Sequence, residues 1–145
     1  MILYTIGFSG KSAEQFFRLL TRNEVKRVLD VRLNNTNQLA GFTKRNDLSF
    51  FLSAIAGIDY MHLQQFAPSR ELLKAYRKHE TEWDEYERTY LALLTERCAI
   101  ASVEPTVFES ACLLCSEASP EHCHRRLLAE SIAATVPNVC VVHLE

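Results

Sequence analysis

Five short apolar runs punctuate the chain: Ile2–Ile6 ending at Gly7, Arg27–Val31, Ile58–Leu63, Ala111–Cys115 and Val139–Leu144. Each has the length and aliphatic content of a buried strand. The segments between them space apolar residues as helices do. Phe16, Phe17, Leu19 and Leu20 share a face behind Ser12, which forms a capping-box pattern with Gln15. Leu48, Phe51, Leu52 and Ile55 form a second face, with Asn46 or Asp47 as the expected cap and Gly57 at the helix end. Pro68-Ser69 opens a short helix carrying Leu72, Leu73 and Tyr76. Thr81 is the expected cap of a longer helix, with Glu82 and Asp84 in its first turn. Its stripe of Trp83, Tyr86, Tyr90, Leu93 and Leu94 is expected to pack in a core or a dimer interface. Val103–Phe108 fits either a strand or a helical turn begun by Pro105, and Ser119-Pro120 reads as the cap and first-turn proline of a helix running to about Thr135.

Strands alternating with helices predict an α/β fold. The expectation is a single domain over residues 1–145, with a doubly wound, mainly parallel five-stranded sheet and helices on both faces. Composition agrees. The 145 residues are 48% hydrophobic and 23% charged, ordinary for a globular domain. The net charge of −2 argues against a DNA-coating protein and leaves room for a local basic patch. No apolar run reaches the roughly 18 residues that read as a membrane span, and the first residues lack a basic leader. Five cysteines, an odd number, point to reduced thiols and a cytoplasmic location.

In doubly wound sheets, ligands bind beyond the carboxyl ends of the strands. Gly7 and Ser9 follow the first strand, Asp30-Val31-Arg32 ends the second, His62 lies near the end of the third, and Cys115-Ser116-Glu117 ends the fourth. His122, Cys123, His124, Arg125 and Arg126 follow in what reads as the first turns of the next helix. Each has a structural alternative: a turn glycine at Gly7, a helix cap at Ser9, an Asp30–Arg32 pair, a core histidine at His62. Cys115 is the sharpest candidate, because a thiol near cations and a helix N-terminus is activated as a nucleophile. Cys98, Cys112 and Cys140 lie in apolar segments and are expected in the core. Cys112 and Cys115 are three apart on a strand, so they face opposite sides and cannot share a metal. Cys115, Cys123 and one histidine, His62, His122 or His124, could hold zinc or iron.

These elements have a family likeness. Thr5-Ile6-Gly7-Phe8-Ser9, Asp30-Val31-Arg32, Gly41-Phe42, Tyr60-Met61-His62-Leu63, Leu114-Cys115-Ser116-Glu117, Glu121-His122-Cys123-His124-Arg125-Arg126 and Val142-His143-Leu144 resemble the domain of unknown function 488 family, in order and over nearly the whole chain. The resemblance implies a small α/β protein of bacterial or archaeal type whose signature residues are the strand-end residues above. Many members carry a proline and a Ser-Arg pair after Asp-Val-Arg. This chain has Leu33-Asn34-Asn35-Thr36-Asn37-Gln38 instead, which suggests reading a substrate through amide hydrogen bonds.

Three functions follow as expectations. The first is an enzyme on a small anionic or nucleotide-like substrate, with Arg32 and Arg125 on the anion, Cys115 reactive, Glu117, His62 or Asp30 moving protons, and Gly7 and Ser9 in the substrate site. The second is a metal-dependent hydrolase or nuclease on Cys115, Cys123 and His124 or His62. The third is a binding module for nucleic acid or a partner protein; a homodimer is compatible with all three. Cys115, His62, Asp30, Arg32, Glu117 and Arg125 should converge on one cleft. The long Arg32–Asn46 connection should act as a flap that orders on ligand binding.

Overall fold

The apolar runs form one sheet in the computed structural model, which describes residues 1–36 and 40–145. Its strands are β1 (Ile2–Gly7), β2 (Arg27–Asp30), β3 (Asp59–His62), β4 (Ala111–Cys115) and β5 (Cys140–Leu144). Their order is β3-β2-β4-β1-β5 and every pairing is parallel. The register aligns the carboxyl ends: Gly7 lies opposite Cys115, and Asp30 lies opposite both Leu114 and His62. β4 is buried at all five positions, which explains why Ala111–Cys115 reads as an unbroken apolar run.

Two hydrophobic clusters cover the two faces. Helices α1 (Ala13–Arg22) and α2 (Arg45–Phe51) pack Phe16, Phe17, Leu20 and Leu48 on Tyr4, Ile6, Cys112 and Leu114. Helices α3 (Arg70–Arg77), α4 (Trp83–Glu96) and α5 (His124–Thr135) pack Leu72, Tyr90, Leu127 and Ile132 on Leu3, Leu29, Leu113 and Cys115. Cys112 and Cys115 thus face opposite sides, as strand alternation requires.

Several helix starts differ from the sequence reading. Ser12 and Gln15 do form a capping box, and Ser69 caps α3. α2, however, begins after Lys44 rather than at Asn46 or Asp47, because the Arg45 amide is fixed on the Asn35 carbonyl at 2.7 Å. It continues as a wide turn, Leu52–Ala56, and ends at Gly57, whose φ of 62° is the left-handed conformation that favours glycine. The cap position of α4 is Glu82, not Thr81. Pro105–Phe108 is a short helical turn.

The largest shift is at α5. Ser119 accepts from the Glu121 amide and the Pro120 carbonyl accepts from the Cys123 amide, which closes a separate turn. The helix starts only at His124, with Cys123 at its cap. Two cysteines are also misplaced by the apolar pattern, since Cys98 and Cys140 are exposed. Cys98 adopts φ 49° in the turn that ends α4, and Cys140 stands on the outward side of edge strand β5. Residues 37–39 of the expected Arg32–Asn46 flap lie outside the described residues.

Candidate functional site

Strand order locates the site. β4 lies between β1 and β2, and both neighbours leave the sheet toward the face of α1 and α2. β4 leaves toward α5 on the other face. Chains that part in opposite directions leave a crevice at the carboxyl end of β4, and Cys115 is its last residue.

Arg125 organises this crevice. It is wholly buried, and its guanidinium donates from Nη1 to Cys115 Sγ at 3.0 Å and to the Glu117 carbonyl, and from Nη2 to the Ala118 carbonyl at 3.3 Å. The β4–α5 connection therefore wraps around the cation. Nε donates to Thr5 Oγ1 at 3.4 Å, and that hydroxyl lies 2.7 Å from His143 Nδ1. Burial and the Arg125 charge hold His143 below the ordinary imidazole range. Neutral His143 then accepts from Thr5 while Thr5 accepts from Arg125.

Cys115 and Cys123 place their sulfurs 2.6 Å apart. Burial pushes the Cys115 thiol up. The Cys123 hydrogen bond, the Arg125 charge and hydrogen bond, and the Glu117 amide together outweigh it, and the net pKa lies below that of an ordinary thiol. Burial and the neighbouring Cys115 drive Cys123 well above it. Of the two, Cys115 therefore gives up its proton more readily than Cys123. The same charges raise the pKa of Arg125 despite its burial.

A second buried cation faces the crevice from β2. Asp30 accepts from Arg32 Nε at 2.8 Å, from Arg32 Nη2 at 2.8 Å and from the Arg32 amide at 3.1 Å. Tyr60 Oη at 2.5 Å and Asn35 Nδ2 at 3.3 Å complete its shell. Burial raises the Asp30 pKa, but Arg32 and Tyr60 outweigh it and leave a net lowering. Arg32 Nη2 also donates to the Thr43 carbonyl at 2.7 Å. Among the described residues, Arg32 Nη1 is buried and has no hydrogen-bond partner, an exception that calls for an explanation in a protein interior. Two histidines fix the backbone that presents it. His62 Nε2 meets the Arg32 carbonyl at 3.0 Å, and His124 Nε2 meets the Val31 carbonyl at 2.9 Å. Burial lowers the His124 pKa to about 4, so its ring is a neutral Nε2–H donor.

Cys115, Cys123, Arg32 and Glu117 line one cleft of about 60 Å³. Asn34, Tyr76, Arg77, Tyr86, His122 and His124 line it too. Of the six residues expected to converge, Cys115, Arg32 and Glu117 do so, and Arg125 supports Cys115. Asp30 and His62 stand behind Arg32 as its anchors. Asn35 serves Asp30 and Tyr60. Gly7 and Ser9 are elsewhere in role. A Cβ on Gly7 would meet the Glu117 carbonyl oxygen at 1.5 Å, so this glycine lets the β4–α5 connection close over β1. Its φ is not positive. Ser9 donates its amide to the Ser116 carbonyl and lines a separate groove of about 800 Å³ with Lys11, Glu14 and Arg18. That groove is the roomier one, but its lining includes no cysteine or histidine and carries both charge signs.

The aromatic stripe of α4 does more than pack. Tyr90 is core, its hydroxyl donating to the Phe66 carbonyl at 2.6 Å. Tyr86 instead walls the cleft, and Trp83 stacks on Tyr86 and His122. Sequence reasoning missed Tyr86, Tyr76 and Arg77, and gave no role to Thr5 and His143. Helical spacing from Tyr90 was the one signal pointing to Tyr86. Among the described residues, no three of His, Cys, Asp and Glu are grouped to hold a metal ion, and His124 has spent Nε2 on Val31.

No curated protein and no solved structure matches the chain. The model of the family described as "Domain of unknown function DUF488" matches residues 12–132, a segment that carries the Cys115, Cys123 and Arg125 constellation and omits Thr5 and His143 at the two ends. The chain belongs to the DUF488 family.

Proposed function

We propose that the protein is an enzyme acting on a small anionic substrate through a nucleophilic Cys115 thiolate. The observation that carries this is the buried Arg125 guanidinium, which donates to Cys115 Sγ at 3.0 Å at the base of a cleft. A buried cation beside a thiol favours the thiolate, which is the nucleophilic form. Arg32 and the exposed Arg77 line the same cleft and supply positive charge for an anion. Arg125 is not an anion ligand in this reading, since its donors are spent on Cys115, Thr5 and two carbonyls. The cleft's volume suits a group of a few heavy atoms, so a nucleotide would enter only by its terminal phosphate. Glu117, exposed beside Cys115, is the side chain placed to exchange a proton with solvent.

The test compares alkylation of Cys115 by anionic iodoacetate and neutral iodoacetamide, with sites mapped by mass spectrometry. Cys115 should react with iodoacetamide at pH 7 faster than an ordinary buried thiol such as Cys112. The iodoacetate-to-iodoacetamide ratio should drop in Arg77→Ala, a change at an exposed residue that spares the core. A ratio unmoved by that change, with Cys115 no faster than Cys112, would overturn the reading.

A further inference from the structure

The proposed nucleophile has a neighbour that the reading above does not use. Cys123 Sγ lies 2.6 Å from Cys115 Sγ, and a disulfide needs about 2.05 Å. Eight positions separate the two residues, and the chain between them is turns and bends rather than strand or helix. Neither cysteine is more than 2% exposed, and both reach the outside through the same cleft. The surroundings are unequal. Cys115 receives the Arg125 Nη1 donor at 3.0 Å and the Glu117 amide. Cys123 sits 3.8 Å from the same Nη1. One sulfur is set up to attack and the other to follow.

We propose that Cys115 and Cys123 are a two-electron redox pair that a small hydroperoxide oxidises to a disulfide through a sulfenic acid on Cys115. This rests on the Cys115 thiolate of the proposed function and adds a reaction to it. In the first step Cys115 sulfur attacks a peroxide oxygen. The S–O bond forms and the O–O bond breaks. The departing alkoxide or hydroxide takes a proton from water, and Cys115 is oxidised by two electrons. In the second step Cys123 sulfur attacks Cys115 sulfur. The S–S bond forms, the S–O bond breaks, and the Cys123 proton leaves with the hydroxide as water. A dithiol reductant reverses the change by two thiol–disulfide exchanges and is itself oxidised to its disulfide. Size selects the oxidant. The cleft is narrow, about 60 Å³, which favours a small hydroperoxide as the oxidant.

The experiment uses the full chain with the exposed Cys98 and Cys140 changed to Ser, treated with hydrogen peroxide at pH 7. Intact mass should fall by two hydrogens, peptide mapping should link Cys115 to Cys123, and dithiothreitol should restore the starting mass. Adding Cys123→Ser should abolish that loss and leave an oxygen on Cys115 that a sulfenic-acid-trapping dione captures. Stepwise oxygen addition in the parent protein without the two-hydrogen loss, while Cys115 still alkylates rapidly, would overturn the redox pair alone. A Cys115 that neither alkylates nor oxidises would overturn the thiolate reading and the pair with it.

Discussion

At the scale of single residues, one buried arginine sets the surroundings of Cys115, and a hydroxyl holds the arginine. Thr5 is fully buried and joins Arg125 Nε to His143 Nδ1. Thr5→Val keeps the shape and removes both bonds; half-buried His143 turns to water, and the buried Arg125 Nε is left unmet, at about 1–3 kcal/mol. The expected result is a stability loss in that range in urea unfolding. Cys115 alkylation at pH 7 should also slow by roughly 3- to 10-fold, one pKa unit being tenfold in thiolate. Unchanged alkylation would mean that Arg125 is held without Thr5. His124 sets a pH dependence. Its folded pKa of about 4 lies below that of the unfolded chain, near 6.5. The unfolded state therefore binds the proton first as pH falls. Stability is full above about pH 6.5 and declines toward pH 4, by about 3 kcal/mol in all. Urea midpoints across that range should show the decline, and His124→Gln should flatten it. The sequence made Cys115 and Arg125 legible as candidates, because reactive residue types at a strand end and a helix start are rare together. It hid Thr5 and His143. They lie 138 positions apart, and only the pairing of β1 with β5 brings them together.

At the scale of elements, the β4–α5 connection is the working part. Arg125 grips it from within through the Glu117 and Ala118 carbonyls. Gly7 admits it from below, where an added Cβ would fall 1.5 Å from a backbone oxygen. Backbone cannot swing aside as a side-chain tip can, so Gly7→Ala must displace the connection. Overpacking of this kind typically costs about 1–3 kcal/mol, and the displacement also draws the Glu117 amide off Cys115. Urea unfolding should show the loss, and Cys115 alkylation should slow in the same variant. Normal alkylation would show that the connection closes without the glycine. The same stretch explains why the strands were easier to read than the helix starts. Burial on both faces writes a strand as an apolar run, as at Ala111–Cys115. A proline after a serine marks a helix start only where no turn intervenes, and here a turn through Pro120 and Cys123 comes first. The α4 stripe shows the other limit. Periodicity finds the buried side of a helix but does not separate Tyr90 in the core from Tyr86 on a cleft wall.

At the scale of the whole molecule, Asp30 and Arg32 tie the second half of the sheet to the loop beyond it. Asp30 is fully buried and takes donors from β2's own exit, from Tyr60 on β3 and from Asn35. Arg32 passes the connection on to the Thr43 carbonyl, eleven residues away. The sequence left two roles open for Asp30, a proton carrier or the partner of Arg32, and Asp30→Asn separates them. If Asp30 is an anchor, the substitution strands a buried guanidinium, which costs about 3–5 kcal/mol. That is a large part of a total stability of about 5–15 kcal/mol. The urea midpoint should fall with an unchanged slope, since the surface exposed on unfolding stays the same. Alkylation of the folded fraction at Cys115 should stay within about twofold, because Cys123, Arg125 and Glu117, rather than Asp30, lower its pKa. The pH profile carries a third readout. The Asp30 carboxyl titrates below its ordinary range, so its stabilising effect is present above about pH 4 and is lost as pH falls through the lowered pKa. Wild type should lose that increment on acidification and Asp30→Asn should have none to lose. A variant with an unchanged urea midpoint and altered Cys115 chemistry would instead return Asp30 to the proton-carrying role.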